Sequence, residues 1–237
     1  MMSRRSIALL SVYAVAGSIN AFVIQKPNSA AINHAICNSK KSGDDEVVQH
    51  QQAFAVGTFV EFTEKKRTHV GKIDKAEHKA NGGARYTIID SEGKKYDVRD
   101  KAVLYAMACP NTPKQAETLY QEFCEAQDAP TVSIQEKLDI NSELLEMAWE
   151  EAAVGEEGND HLVTANSLIE SIHAHTASTM EKYLAWKLLK TDIGHIFFKE
   201  IKDHGRVVAF KAKTQKAVNA AKEAFCNTHS DNDICFV

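Results

Sequence analysis

The sequence predicts an α+β fold, an all-β front followed by a mostly helical region, and two changes of periodicity predict it. From Phe54 to Met107 apolar residues alternate in short runs between turn-forming clusters. After Ala108 they recur at helical spacing, and that pattern is broken once by a hairpin signature. With 237 residues, 44% hydrophobic content, 4 prolines and 11 glycines, the chain has material for real cores and is neither collagen-like nor low-complexity.

The strands of the front are residues 58–62, 69–73, 85–89 and 95–98. Asn81-Gly82-Gly83 and Asp90-Ser91-Glu92-Gly93-Lys94 offer turn chemistry between them, so the strands are expected to join as antiparallel hairpins. About 50 residues of such strands suggest an SH3-like or OB-like β-barrel, the economical way to remove sheet edges at this size. The first helix opens at Thr112-Pro113-Lys114-Gln115, where Thr can cap and Pro suits the first turn, and Asp128-Ala129-Pro130 breaks it. A second helix around residues 141–149 puts Leu144, Leu145 and Ala148 on one face beside Trp149, and Gly155 and Gly158 end it. Val163-Thr164 opens a third with Leu168, Ile169 and Ile172 inward, and Ser178-x-x-Glu181 is a capping box for a fourth through Lys190. Residues 195–199 and 206–211 then read as strands about Lys202-Asp203-His204-Gly205, and a last helix runs over residues 214–225. Three helices, a hairpin and a helix after the first helix form a winged-helix order, in which the fourth helix is the recognition helix.

Residues 1–43 carry Arg4, Arg5, Lys26, Lys40 and Lys41 and no acid. Residues 1–21 read as a signal peptide, a basic start and a short apolar run with cleavage after Ala21. A permanent N-terminal anchor is the rival reading. Residues 22–45 have transit-peptide composition, and 46–53 form a linker to the barrel at 54–107, the winged-helix domain at 108–226 and a polar tail at 227–237. Two addresses in series resemble the bipartite presequences of algae with secondary plastids. They imply a protein of the plastid stroma with no stable membrane anchor after processing. The five cysteines show no C-x-x-C spacing and no Asn-x-Ser/Thr sequon occurs, so reduced thiols are expected. His173 and His175 are the only tight histidine pair and lack acidic or thiol partners at ligand spacing, so neither metal nor cofactor is expected.

Several stretches carry a family resemblance: residues 57–62, 90–95 and 103–105 in the front, 145–150 in the helical part, then Val163-Thr164 with Leu168-Ile169, and 183–189 leading through Asp192 to 196–198. Over residues 54–226 the chain resembles the N-terminal region of plastid and cyanobacterial exoribonucleases of the ribonuclease II/R family. The resemblance rests on packing and turn positions, not on catalytic ones. Those enzymes continue into an RNB domain whose clustered aspartates hold the magnesium ion that cleaves RNA. No matching cluster occurs here, since Asp44-Asp45, Asp231 and Asp233 lie in polar end segments. The chain is therefore expected to be no enzyme, with no catalytic residues of its own. The acidic run Glu143, Glu146, Glu150, Glu151, Glu156, Glu157 and Asp160 reads as a solvated face.

The net charge of −4 is unevenly spread. Residues 54–105 hold eleven Lys/Arg against eight Asp/Glu, residues 206–237 five against three, and residues 106–205 seven against eighteen. Two basic groups are candidate RNA contacts: Lys65, Lys66, Arg67, Lys94, Lys95, Arg99 and Lys101 on the barrel loops, and Arg206, Lys211, Lys213 and Lys216 on the wing and after it. Tyr86 and Tyr96 are candidate base-stacking rings. Lys182 and Lys190 flank Trp186 on one face of the fourth helix, and that tryptophan reads as packed because the helix is apolar around most of its circumference. The leading expectation is an RNA-binding accessory protein for single-stranded or structured RNA. The alternatives are a module that docks a plastid nuclease or ribosomal protein through its acidic surface, and the front of a longer 3′–5′ exoribonuclease.

Overall fold

Five strands form the front: β1 (Phe59–Glu64), β2 (Arg67–His78), β3 (Ala84–Ile89), β4 (Lys95–Arg99) and, after a 3-10 turn at Asp100–Ala102, β5 (Val103–Met107). A computed structural model describes residues 53–78, 83–153, 162–203 and 205–228. The two presequences, nearly all of the linker, the Asn81-Gly82 turn, Gly155 and Gly158, His204 and the tail beyond residue 228 lie outside the described residues.

All pairings of the front sheet are antiparallel, in the order β4-β3-β2-β1-β5. β2 is 12 residues long because it serves two partners, β1 along its first half and β3 along its second, and a register break between Ile73 and Lys75 lets it bend between them. Gly71 sits at that crossing. A Cβ there would lie 2.5 Å from Ile88 Cγ2 and 2.7 Å from the Ile89 carbonyl oxygen, so only glycine lets the strands approach. No ladder joins β4 to β5, so the sheet bends over its core without closing. That core is Val60, Phe62, Ile73, Tyr86, Ile88, Tyr96, Val98 and Val103.

The helical part contains α1 (Pro113–Gln127), α2 (Thr131–Leu138), α3 (Ser142–Ala153), α4 (Ala165–His173), α5 (Thr179–Leu189), α6 (Asp192–Phe197) and α7 (Gln215–Thr228). A second sheet has β6 (Leu162–Val163), β7 (Phe198–Asp203) and β8 (Arg206–Ala212) in the antiparallel order β6-β8-β7. A short strand paired beside the hairpin, with α4, α5 and the short α6 between, is the winged-helix arrangement. Thr164 and Ser178 cap α4 and α5 with reciprocal boxes, the latter as its Ser-x-x-Glu pattern predicts. At α1 the Thr112 hydroxyl bonds the Gln115 side chain at 2.5 Å and makes no side-chain bond to the helix backbone.

Three elements differ from the periodicity reading. Residues 131–138 form a helix although no periodic run marks them; Pro130 starts it and only Ile134 and Leu138 are buried. Residues 162–163 pair as a strand, a length too short to show alternation. Residues 192–197 are helical, so His195, Ile196 and Phe197, which read as the start of a strand over 195–199, belong to a helix instead. Thr191 caps this turn at the Gly194 amide, 3.4 Å away, and Gly194 lets it press on the end of α5. A Cβ at Gly194 would stand 2.5 Å from the Leu188 carbonyl oxygen.

The described residues belong to one compact unit, 48–237. Phe59, Val70 and Met107 of the front sheet share a core with all seven helices and the second sheet. The centre of that core is α5, whose Tyr183, Leu184, Ala185, Trp186, Leu188 and Leu189 are buried. Tyr105 of β5 packs on Tyr183 and Trp186 at 5.1 and 4.9 Å, and Phe123 of α1 meets Tyr183 edge-on at 4.6 Å.

Candidate nucleic-acid interface

Part of the basic set of the front sheet lies in or beside two turns at one end of it. Lys65 and Lys66 are the two central residues of the β1–β2 hairpin, both left-handed (φ 48° and 68°), as a two-residue turn demands. Asparagine and glycine suit such positions; each lysine gives up about 1 kcal/mol to be there. Both project into solvent with Arg67 beside them. The β3–β4 turn is built on Asp90, whose carboxylate accepts from the Glu92 and Lys94 amides, both at 2.9 Å, and from the Tyr96 hydroxyl at 2.9 Å. Phe62 of β1, His69 of β2 and Tyr96 of β4 form one aromatic cluster with centroids 5.1 to 5.7 Å apart, which joins the roots of the two turns. Lys94 lies 4.7 Å over the Tyr96 ring, and its pKa is raised by the tyrosine hydroxyl, with help from Glu64 at the end of β1. Lys65, Lys66, Arg67, Lys94 and Lys95 are all exposed at or beside these two turns, and Lys95 Nζ pairs with Asp74 at 3.6 Å. Arg99 and Lys101, also exposed, lie at the far end of β4 and in the turn after it.

The two tyrosines are not stacking platforms. Tyr86 is 0% exposed, and its hydroxyl accepts from the Phe54 amide at 3.1 Å and donates to Asp100 at 2.8 Å. Burial pushes its pKa up to about 12. Tyr96 is 5% exposed and spent on Asp90 and the aromatic cluster. Both occupy inward positions of strands whose neighbours point out, so the alternation that made them strand residues also hid them.

The wing group is divided in the same way. Arg206 forms an ion pair with Asp100, both side chains being less than one-fifth exposed, and lies 4.7 Å over the Phe54 ring. The guanidinium ties the wing to the front sheet and is not free for phosphate. Lys213 donates to the His195 carbonyl, its own carbonyl accepts from Trp149 Nε1 at 2.8 Å, and burial lowers its pKa. Lys211 is half-buried and already engaged, whereas Lys216 is exposed at the start of α7.

The recognition helix is enclosed. α5 has one exposed residue, Thr179, because α1, α2, α4, α6 and β5 surround it. Trp186 is packed, as its apolar neighbours implied. Lys190 Nζ rests 3.9 Å over that indole, and burial lowers its pKa. Lys182 is half-buried. Lys187, not picked out by the sequence, donates to the Gln127 carbonyl at the end of α1, while Gln127 Nε2 donates to the Thr68 carbonyl at 2.7 Å. Lys187 and Lys190 work inside the fold, and the enclosed α5 is not presented to a groove.

A second feature escaped sequence reasoning. Glu61, 5% exposed, accepts a hydrogen bond of 2.5 Å from the Tyr183 hydroxyl across 122 positions. Glu61 also draws on Lys187 and Lys190, partly offsetting the cost of their burial. His173 and His175 each have a partner: His173 Nε2 lies 2.8 Å from the Leu138 carbonyl oxygen and His175 Nε2 lies 3.0 Å from Glu181. Cys109, Cys124 and Cys226 are free thiols. Among the described residues, no group of three or more His, Cys, Asp or Glu is placed to hold a metal ion, and no helix is long and apolar enough to cross a membrane.

No curated protein and no solved structure matches the chain significantly. A family model does match: residues 131–217 fit the winged helix domain of ribonuclease II. The match runs from α2 into α7 and takes in both the enclosed α5 and the wing. The chain is an α+β protein in which an open five-stranded antiparallel sheet precedes a ribonuclease II-like winged-helix region.

Proposed function

We propose that the chain is an RNA-binding accessory protein that holds RNA without cleaving it, and that it works in the plastid stroma. One observation carries the reading: Lys65, Lys66, Arg67 and Lys94, exposed at two hairpin turns distant in sequence, lie at one end of the front sheet. The ribonuclease II-like winged-helix region supports it, because that family acts on RNA. The buried α5 argues against groove reading in duplex DNA and for contact through the turns. With Tyr86 and Tyr96 withdrawn into the core, binding rests on phosphate pairing, so it is weak, salt-sensitive and indifferent to base sequence.

The test is fluorescence anisotropy of labelled single-stranded RNA with the purified protein between about 50 and 200 mM salt. Affinity falls with salt, and Lys65→Ala with Lys66→Ala reduces the log–log slope by about 0.7 for each phosphate contact removed. Absence of binding at the lower salt refutes the proposal. Loss of intact RNA during the titration refutes the non-cleaving part of it.

A further inference from the structure

We infer that the groove between α3 and α4 is a docking site for a basic amphipathic helix of a partner protein. Its floor is apolar, made of Leu144 and Ala148 of α3 and Ile172 of α4, and Met147 stands at its edge 63% exposed. An exposed methionine beside an apolar cleft is a soft contact that can shape itself to a partner's side chains. The groove encloses about 490 Å³, enough for two or three large side chains of a helix laid along it.

Charge selects the occupant. Glu150 and Glu151 line the groove, Glu143 lies two turns earlier on α3, and Glu170 lies on α4. All four are exposed, and none takes part in an ion pair among the described residues. The neighbouring carboxylate, Glu146, is already satisfied by Lys222 at 2.5 Å. No lysine or arginine lines the groove. An apolar floor between unpaired carboxylates matches a helix with Leu, Met or Phe at i, i+3 or i+4 and i+7, flanked by Lys and Arg. The same carboxylates repel phosphate, so this face is separate from the cationic turns and the two can be occupied together.

The probe is a fluorescein-labelled 16-residue peptide with leucines on one helical face and lysines at its margins, compared with a version carrying glutamate for lysine and with a scrambled version of the same composition. Binding to the full chain is read by anisotropy, and its place by the ¹³C-methyl resonance of Met147, assigned with Met147→Leu. The lysine peptide binds at least tenfold more tightly than either control, shifts the Met147 resonance, and loses at least tenfold in affinity to Glu150→Lys/Glu151→Lys. Both glutamates are exposed, and the circular dichroism of that variant shows the fold retained. The inference is overturned if the peptide does not bind, if it leaves the Met147 methyl unmoved, or if the double variant binds it as well as the wild type. It is also overturned if single-stranded RNA shifts that methyl, which would give the groove to nucleic acid.

Discussion

Removing the Tyr183 hydroxyl tests the claim that the front sheet and the helical region are one cooperative structure. Tyr183→Phe keeps a ring that is 0% exposed and packed on Tyr105, Phe123 and Trp186, so van der Waals contact is nearly unchanged. What disappears is the donor to Glu61, a side chain 5% exposed that accepts this bond at 2.5 Å. A hydrogen bond to a charged group contributes about 1.5–3 kcal/mol, and a buried acceptor without its donor incurs its desolvation cost as well. The expected loss is about 2–3 kcal/mol, read from urea unfolding followed by the fluorescence of Trp149 and Trp186, both buried. With Glu61→Leu as background, the hydroxyl becomes the orphan, and Tyr183→Phe is then neutral or slightly stabilising. The resulting coupling energy is about 2 kcal/mol. A cycle that closes to within about 0.5 kcal/mol refutes the reasoning, because it would mean that the sheet–helix contact is not a working interaction.

Arg206→Ala, which removes the ion-pair partner of Asp100 and leaves it with the Tyr86 hydroxyl, lowers stability by about 2 kcal/mol and leaves the salt slope of RNA binding unchanged; a slope reduced by about 0.7 would make Arg206 a phosphate contact instead. Burial acts to raise the pKa of Asp90, but hydrogen bonds from the Lys94 and Glu92 amides and the Tyr96 hydroxyl outweigh it and hold the pKa low. The stability this gives is present above the unfolded value of about 3.9 and is lost as pH falls through the folded one. Asp90→Asn therefore flattens the fall in urea midpoint below about pH 4, and an unchanged acid limb would refute this. Gly194→Ala destabilises by about 1–3 kcal/mol in a thermal melt, since its Cβ would meet the Leu188 carbonyl oxygen at 2.5 Å; an unchanged melting temperature would show that this backbone yields.

Local signals specified the elements and their ends. The alternation of 95–98, the Ser178 capping box and the Pro113 helix start are all visible in the sequence because each depends on neighbours within four positions. Such signals fail where the decisive contact is remote. DIGHIF is helical because Gly194 must press on α5, and Lys65-Lys66 forms a tight turn although no glycine marks it.

The sequence by itself determined the α+β order, the winged-helix succession and the basic character of the front sheet against the acidic helices, because periodicity and charge are properties of the chain. It could not say which charged or aromatic residue stays free to act. Arg206, Lys213, Tyr86 and Tyr96 look like ligand-binding residues in the sequence and are internal ties in the fold. Only the tertiary structure decided that, by packing the sheet against the helices until α5 became the centre of the core. The physical reason is that a side chain's availability depends on what is brought against it from tens of residues away, whereas its periodicity depends on the residues beside it.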